Sequence, residues 1–175
     1  LGQGVFIYNP EAGSLLQDSR RTSFVWDMGI DPTGRVYISA HRGSIVCFDQ
    51  NGRHQQTYDS FDHNGAAVDM QINAVEVVND KVWFSYSANS LSSLDPKTGE
   101  ISNYSLSDPN SGTVRCISRY SETSLMVGAD DGLYIFDEGS AVVRKVGSRS
   151  ASNLDVRGLS DQSIRAIVRD KEGGY

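Results

Sequence analysis

Four residues spaced along the chain, Trp26, Asn73, Arg115 and Arg165, are of types that recognise polar ligands when a fold brings them together. An indole face stacks on a flat or ring-shaped ligand, an amide donates and accepts, and a guanidinium presents five donors in a fixed fork. Such a set suits an oligosaccharide or another small ligand. The same positions would serve equally well as structural residues that hold neighbouring elements together. Polar residues in loop-like stretches extend the candidates to His41 and Arg42, Asn89, Asp130 and Asp131, and to Asp62, His63 and Asn64 in "SFDHNGAAVD". This mixture suits neutral or weakly charged sugars, and ordinary solvated turns carry the same residues.

Catalytic spacing is not found. The three histidines, His41, His54 and His63, fall in no metal-ligand pattern, so neither a metal nor another cofactor is expected. The chain carries no nucleophile elbow and no phosphate-binding loop. "GQG" near the start and "EGG" near the end read as turn glycines. Among the 22 acidic residues, Asp31, Asp49, Asp95, Asp137 and Asp170 recur at turn positions, where capping explains them better than catalysis.

The elements that would position the candidates come from an internal repeat. An apolar or aromatic residue followed by Asn or Asp and a turn appears at Asn9, Asp49, Asp95 and Asp137, in steps of 40, 46 and 42. A second landmark opens each unit: Val25, Ile72, Val114 and Ile164 follow one another at 47, 42 and 50 residues. Both give a unit of about 40–50 residues, the size of a four-stranded propeller blade.

Within the unit from Phe24, four alternating strands are predicted near 24–30, 35–40, 44–49 and 54–58. Asp31-Pro32-Thr33-Gly34 has the composition of a type I turn. Asn51-Gly52 and Lys97-Thr98-Gly99 supply glycines for tight hairpins. Helix signals are nearly absent. By alternation, Trp26, Asn73, Arg115 and Arg165 point away from the side of the four opening apolar residues.

The expected fold is therefore all-β: a β-propeller fragment of about four blades of four antiparallel strands, part of a seven-bladed ring. The units are 1–19 (second half of a blade), 20–62, 67–108 and 110–152 (blades) and 159–175 (first part of a further blade), all in one propeller domain. Both ends are expected to lie within a blade, making the chain a segment of a longer repeat array.

Composition narrows the partners. Among 175 residues, 38% are hydrophobic and 22% charged, which describes a globular chain, and no apolar run approaches the ~20 residues of a membrane span. The net charge of −6, with the 16 basic residues scattered, argues against nucleic acid and an anionic polymer, though a local basic pocket is compatible with it. Cys47 and Cys116 each sit in an apolar run and read as two buried thiols. A disulfide stays open, so they do not fix a redox compartment.

The segment "GLSDQSIRAIVRDKEGGY", with "GVFIYNPEAG" and "SSLDPKTGEISNYS", resembles the two-component regulator propeller repeat. The resemblance covers essentially the whole chain and is nearest in the last unit. The family's Trp-Ile-Gly position reads Tyr37-Ile38-Ser39, Trp83-Phe84-Ser85 and Met126-Val127-Gly128. The resemblance implies a periplasmic propeller of a large membrane sensor, preceding an immunoglobulin-like module, a transmembrane helix and a histidine kinase. It also implies oligosaccharide sensing and allows a homodimer formed through the parent protein. The expected function is ligand sensing in signal transduction, without catalysis or membrane contact by this segment, and with the rest of the propeller as a partner. The alternatives are a propeller enzyme acting on polysaccharide, a lyase or glycosidase, and a protein-binding scaffold propeller.

Overall fold

The computed structural model describes residues 5–9, 14–18, 25–40, 43–59, 71–85, 90–106, 112–146 and 163–170. These residues build three four-stranded antiparallel sheets and one two-stranded hairpin, with no helix among them. The hairpin pairs β1 (Val5–Asn9) with β2 (Ser14–Asp18). The first sheet contains β3 (Met28–Ile30), β4 (Val36–Ala40), β5 (Ser44–Phe48) and β6 (His54–Asp59). The second contains β7 (Ala74–Val78), β8 (Lys81–Ser85), β9 (Ser90–Leu94) and β10 (Ile101–Ser105). The third contains β11 (Val114–Arg119), β12 (Ser124–Ala129), β13 (Gly132–Asp137) and β14 (Val142–Lys145). Each sheet is a meander whose strands lie in chain order, and β3, β7 and β11 lie side by side as its inner edges. This is a segment of a β-propeller.

The turns follow from local chemistry. Asp31 and Asp49 make the same turn twice: the Gly34 and Gly52 amides donate to their carbonyls, 2.9 Å in each case. Both glycines take positive φ, 84° and 75°, which costs them no Cβ clash. The aspartate side chain turns back on each turn. Oδ1 of Asp31 accepts from the amides of Thr33 and Arg35, both at 2.9 Å, and Oδ1 of Asp49 accepts from Asn51 and Arg53 at 2.8 and 2.9 Å. Asp95 accepts from the Lys97 amide and Asp137 from the Ser140 amide, at 2.8 and 2.9 Å. Between β7 and β8 the turn is made by Asn79 and Asp80, both at positive φ (53° and 61°), the type I′ geometry that matches strand twist.

Alternation was expected along the strands, yet β4, β5, β8 and β9 are buried almost continuously. The reason is stacking: the second sheet has a neighbour on both faces, so neither set of alternate side chains of β8 and β9 meets water, and the first sheet buries one face of β4 and β5 against it. Val82 and Phe84 of β8 pack with Tyr37, Ile45 and Cys47 of the first sheet. Trp83, between them in sequence, packs instead with Leu125, Tyr134 and Phe136 of the third. The indole of Trp83 lies 5.3 Å from the Phe136 ring, and Tyr104 lies 4.8 Å from it, in tilted contacts that join two sheets. Tyr58 of β6 adds a polar tie, its hydroxyl donating to the Pro96 carbonyl at 3.0 Å.

Candidate functional site

The inner edge is irregular, and the irregularities aim the candidate side chains. Strand pairing begins at Met28, two residues beyond Trp26, because Ser39 replaces part of the ladder with its side chain. Its Oγ accepts from the amides of Trp26 and Asp27 at 3.0 and 2.9 Å, while its own amide donates to the Asp27 carbonyl at 3.0 Å. This fixes the backbone on which the Trp26 ring stands, 57% exposed. Asn73 is anchored by its amide to the Ser85 carbonyl at 2.9 Å, and its Oδ1 accepts from Gln71 Nε2 at 2.8 Å.

Arg115 sits at a shift of register. Val114 pairs with Ala129 and Cys116 with Gly128, which leaves Arg115 without a partner across the ladder. Such a bulge re-aims a side chain. The guanidinium forms a two-pronged pair with Asp130, Nε to Oδ1 at 2.7 Å and Nη2 to Oδ2 at 2.8 Å. Each partner holds the other in its charged form: Asp130 is lowered chiefly by Arg115, and Arg115 raised chiefly by Asp130.

Arg165 belongs to residues 163–170, which dock on the third sheet. The Ile164 amide donates to the Ala129 carbonyl at 2.9 Å, the Cys116 thiol lies 3.7 Å from the Ile164 carbonyl, and Ser163 Oγ reaches Asp130 at 3.3 Å. Gly128 permits this approach, since a Cβ there would lie 2.6 Å from Cys116 Sγ and 2.7 Å from Ile164 Cγ2. Cys47 is buried and Cys116 half-buried; both are free thiols. Burial pushes the Cys116 thiol up to about 11, which makes it inert at neutral pH.

Trp26, Asn73, Arg115 and Arg165 line one open cleft of about 360 Å³. Sequence reasoning missed two acidic residues that line it too, Asp27 and Glu76. The signal for Glu76 was present, as the single charge in the apolar run "AVEVV". Burial pushes the Glu76 carboxyl above its ordinary value, against the opposing Val77 amide, and the charge of Asp27 adds to the rise. Asp27 itself has both oxygens engaged: Oδ1 accepts from the Met28 amide at 2.9 Å and Oδ2 from the Val75 amide at 2.8 Å. It ties β3 to β7.

The loop candidates divide. His41, Arg42, Asn89, Asp62, His63 and Asn64 lie outside the described residues. Asp130 holds Arg115, as above. Asp131 accepts from the Tyr134 hydroxyl at 2.6 Å, the Lys145 ammonium at 3.2 Å and the Gly112 amide at 3.3 Å. Among the described residues no group of three or more His, Cys, Asp or Glu side chains is arranged to hold a metal ion.

No known family profile matches the chain, and no curated protein matches it. Solved structures do. The extracellular domain of the hybrid two-component system BT4673 from B. thetaiotaomicron superposes with a TM-score of 0.72 at 18% identity, covering 98% of this chain and 23% of that one. PorZ, a surface component of the type-IX secretion system of Porphyromonas gingivalis, gives 0.68 at 17% identity, over 97% of this chain and 27% of that one. The WD40 repeats of RRP9 give 0.61 at 12% identity, over 80% and 43%. At these identities the likeness is one of fold. The chain spans about a quarter of the length of the first two.

Proposed function

We propose that this chain is a ligand-sensing segment of the periplasmic propeller of a two-component sensor histidine kinase, and that the inner-edge cleft receives an oligosaccharide. The observation that carries this reading is the convergence of Trp26, Asn73, Arg115 and Arg165, from four successive repeats, on one cleft. Its volume of about 360 Å³ falls in the range of about 300–1,000 Å³ that small-ligand sites occupy. The Trp26 face stacks on a sugar ring, while the Asn73 amide and the guanidiniums bond its hydroxyls. The sequence resemblance to regulator propellers and the likeness to a two-component ectodomain support the signalling context.

A ligand gripped by several repeats at once favours one arrangement of the blades over another, and that differential affinity is what a sensor transmits. Of the alternatives, a polysaccharide-cleaving enzyme has less support. Asp27, one of the two cleft carboxylates, has both oxygens engaged by backbone amides and serves to tie β3 to β7. A protein-binding scaffold draws support from the exposed row of Trp26, two residues before β3, with Met28 and Ile30 on it.

The test is calorimetry and thermal melting of the full-length protein against a panel of plant and host oligosaccharides, with Trp26→Ala and Asn73→Ala beside wild type. At least one sugar is expected to bind and raise the melting temperature of wild type, and both variants to lose that shift. A panel with no binder, or a shift indifferent to both substitutions, would sink the reading.

A further inference from the structure

One cleft residue breaks the pattern of its repeat position. Two residues beyond Val25, Ile72, Val114 and Ile164 stand Asp27, Ala74, Cys116 and Ala166. Three repeats put a small uncharged side chain there, and Ala74 is fully buried, so the blade itself asks for no carboxylate. Asp27 is half-buried and gripped from both sides. Its amide donates to Ser39 Oγ at 2.9 Å and its carbonyl accepts from the Ser39 amide at 3.0 Å, which fixes its backbone to β4. Its Oδ2 accepts from the Val75 amide at 2.8 Å, across the seam between the first and second sheets. β3 and β7 belong to different sheets, so no backbone ladder sets their spacing. The seam is close all the same: a Cβ on Gly29 would lie 3.0 Å from Val77 Cγ2 and 3.2 Å from the Val77 nitrogen.

We propose, resting on the reading of this cleft as a saccharide site, that Asp27 is a positioning residue: its bond to Val75 locks the first sheet against the second and so sets the Trp26 ring relative to the Asn73 amide. The bond lies between the two, since Trp26 directly precedes Asp27 and Asn73 stands two residues before Val75. Packed faces without a ladder can slide past one another by small shears. A carboxylate accepting from a backbone amide opposes that slide with a charge-assisted bond, roughly twice as strong as a neutral one. A sugar gripped by side chains from two sheets needs them placed to within about 0.5 Å, and a sliding seam would let it meet one at a time.

Full-length protein carrying 5-fluorotryptophan is compared with Asp27→Ala by fluorine NMR, and by calorimetry with cellotetraose, xylotetraose, mannotetraose and galactotetraose. The Trp26 and Trp83 lines are assigned by their loss in Trp26→Phe and Trp83→Phe; Trp83, buried in the seam between the second and third sheets, reports whether the fold survives. In Asp27→Ala the Trp26 line is expected to shift or broaden while the Trp83 line stays, and the tightest-binding of the four sugars to bind about ten-fold more weakly. Asp31→Ala is the control for lost stability alone and should leave both readouts where wild type has them. An unchanged Trp26 line in Asp27→Ala, or an affinity within about two-fold of wild type, overturns this inference and leaves the saccharide reading standing. Should Asp27→Ala displace the Trp83 line as well, Asp27→Asn, which keeps one acceptor oxygen, is judged in its place by the same two criteria. A wild type that binds none of the four sugars overturns the saccharide reading and this inference with it.

Discussion

At the hairpin turns, Asp31, Asp49, Asp95 and Asp137 put the same residue at recurring positions, and each carboxylate bonds the amides of its own turn. At the inner edge, Trp26, Asn73, Arg115 and Arg165 put four different chemistries at one equivalent position and share a single cleft. A residue type repeated with the period answers a local need that recurs, here a turn needing an acceptor. A position repeated with its residue type varied answers no common local need. It belongs to a surface that the repeats build jointly, where each side chain is set by its neighbours in space.

The turn side of that comparison yields the largest effect. Asp31 is 6% exposed and accepts from two amides, the Thr33 hydroxyl and the Arg35 guanidinium. Asp31→Ala should cost about 2–3 kcal/mol in urea unfolding, since it strands several donors at once. Burial alone would raise the Asp31 pKa; the Thr33 hydroxyl and the Arg35 amide and guanidinium outweigh it and lower the carboxyl below its ordinary value. The folded state therefore binds this proton less tightly than the unfolded chain, whose carboxyl titrates near about 3.9. The stabilisation is complete above that value and is lost as pH falls through the lower folded one. Asp31→Asn should flatten the acid limb of the pH–stability curve. An unchanged limb would remove Asp31 from the account.

The next effect tests whether the inner edge is truly set by neighbours in space. Ser39, Ser85 and Gly128 stand at one repeat position, and in the first two the hydroxyl is used: Ser39 holds Trp26 and Asp27, and Ser85 approaches the Val114 carbonyl at 3.4 Å. Gly128→Ser would make the third repeat like the others and would be judged harmless by analogy. Its new Cβ, however, meets Cys116 Sγ, Ile164 Cγ2 and, at 2.9 Å, the Ile164 carbonyl. The substitution should cost about 1–3 kcal/mol and speed hydrogen exchange at Ile164. A neutral outcome would mean that residues 163–170 yield easily and that the edge is looser than its packing implies.

How far the sequence announced this follows from the same distinction. The blade fold was legible because turn chemistry is local: Asp-Pro-Thr-Gly and Asn-Gly gave their hairpins, and strands expected near 35–40, 44–49 and 54–58 appear as β4, β5 and β6. The first strand was overextended, from 24 rather than 28, because a serine side chain thirteen residues from Trp26 takes over that end of the ladder. At the site, alternation found the four lining positions, but Arg115 reaches the cleft from a register shift that no two-residue period encodes. Asp27 and Glu76 escaped notice since their surroundings come from other repeats: the Val75 amide for one, burial at the inner edge for the other.

Trp26 is the direct test of the inner-edge half. With its ring 57% exposed, Trp26→Ala should change the unfolding free energy by less than about 0.5 kcal/mol while abolishing ligand binding. The two measurements are made on one sample, by urea titration and by calorimetry with the best-binding sugar. If Trp26→Ala destabilised the protein as much as Asp31→Ala, the cleft would be a structural seam and the contrast between the two regions would fail.

The smallest effect has the opposite sign from that of Asp31. Glu76 faces a cleft shared with Asp27 on the β3 side, Arg115 and Cys116 on β11, and Arg165 beyond them. Burial, with the Asp27 charge behind it, raises its carboxyl above the unfolded value near about 4.3. The folded state here binds the proton more tightly than the unfolded chain, so this residue favours folding most below that value, and the benefit is lost as pH rises through the folded pKa. Glu76→Gln keeps the shape without the charge. It should unfold at slightly higher urea than wild type at pH 7, and the gap should close below about pH 4. A gap of constant size across pH would mean that Glu76 is already hydrated. Asp31 at a turn and Glu76 at the inner edge thus carry pH slopes of opposite sign, and one pair of variants, Asp31→Asn and Glu76→Gln, reads both.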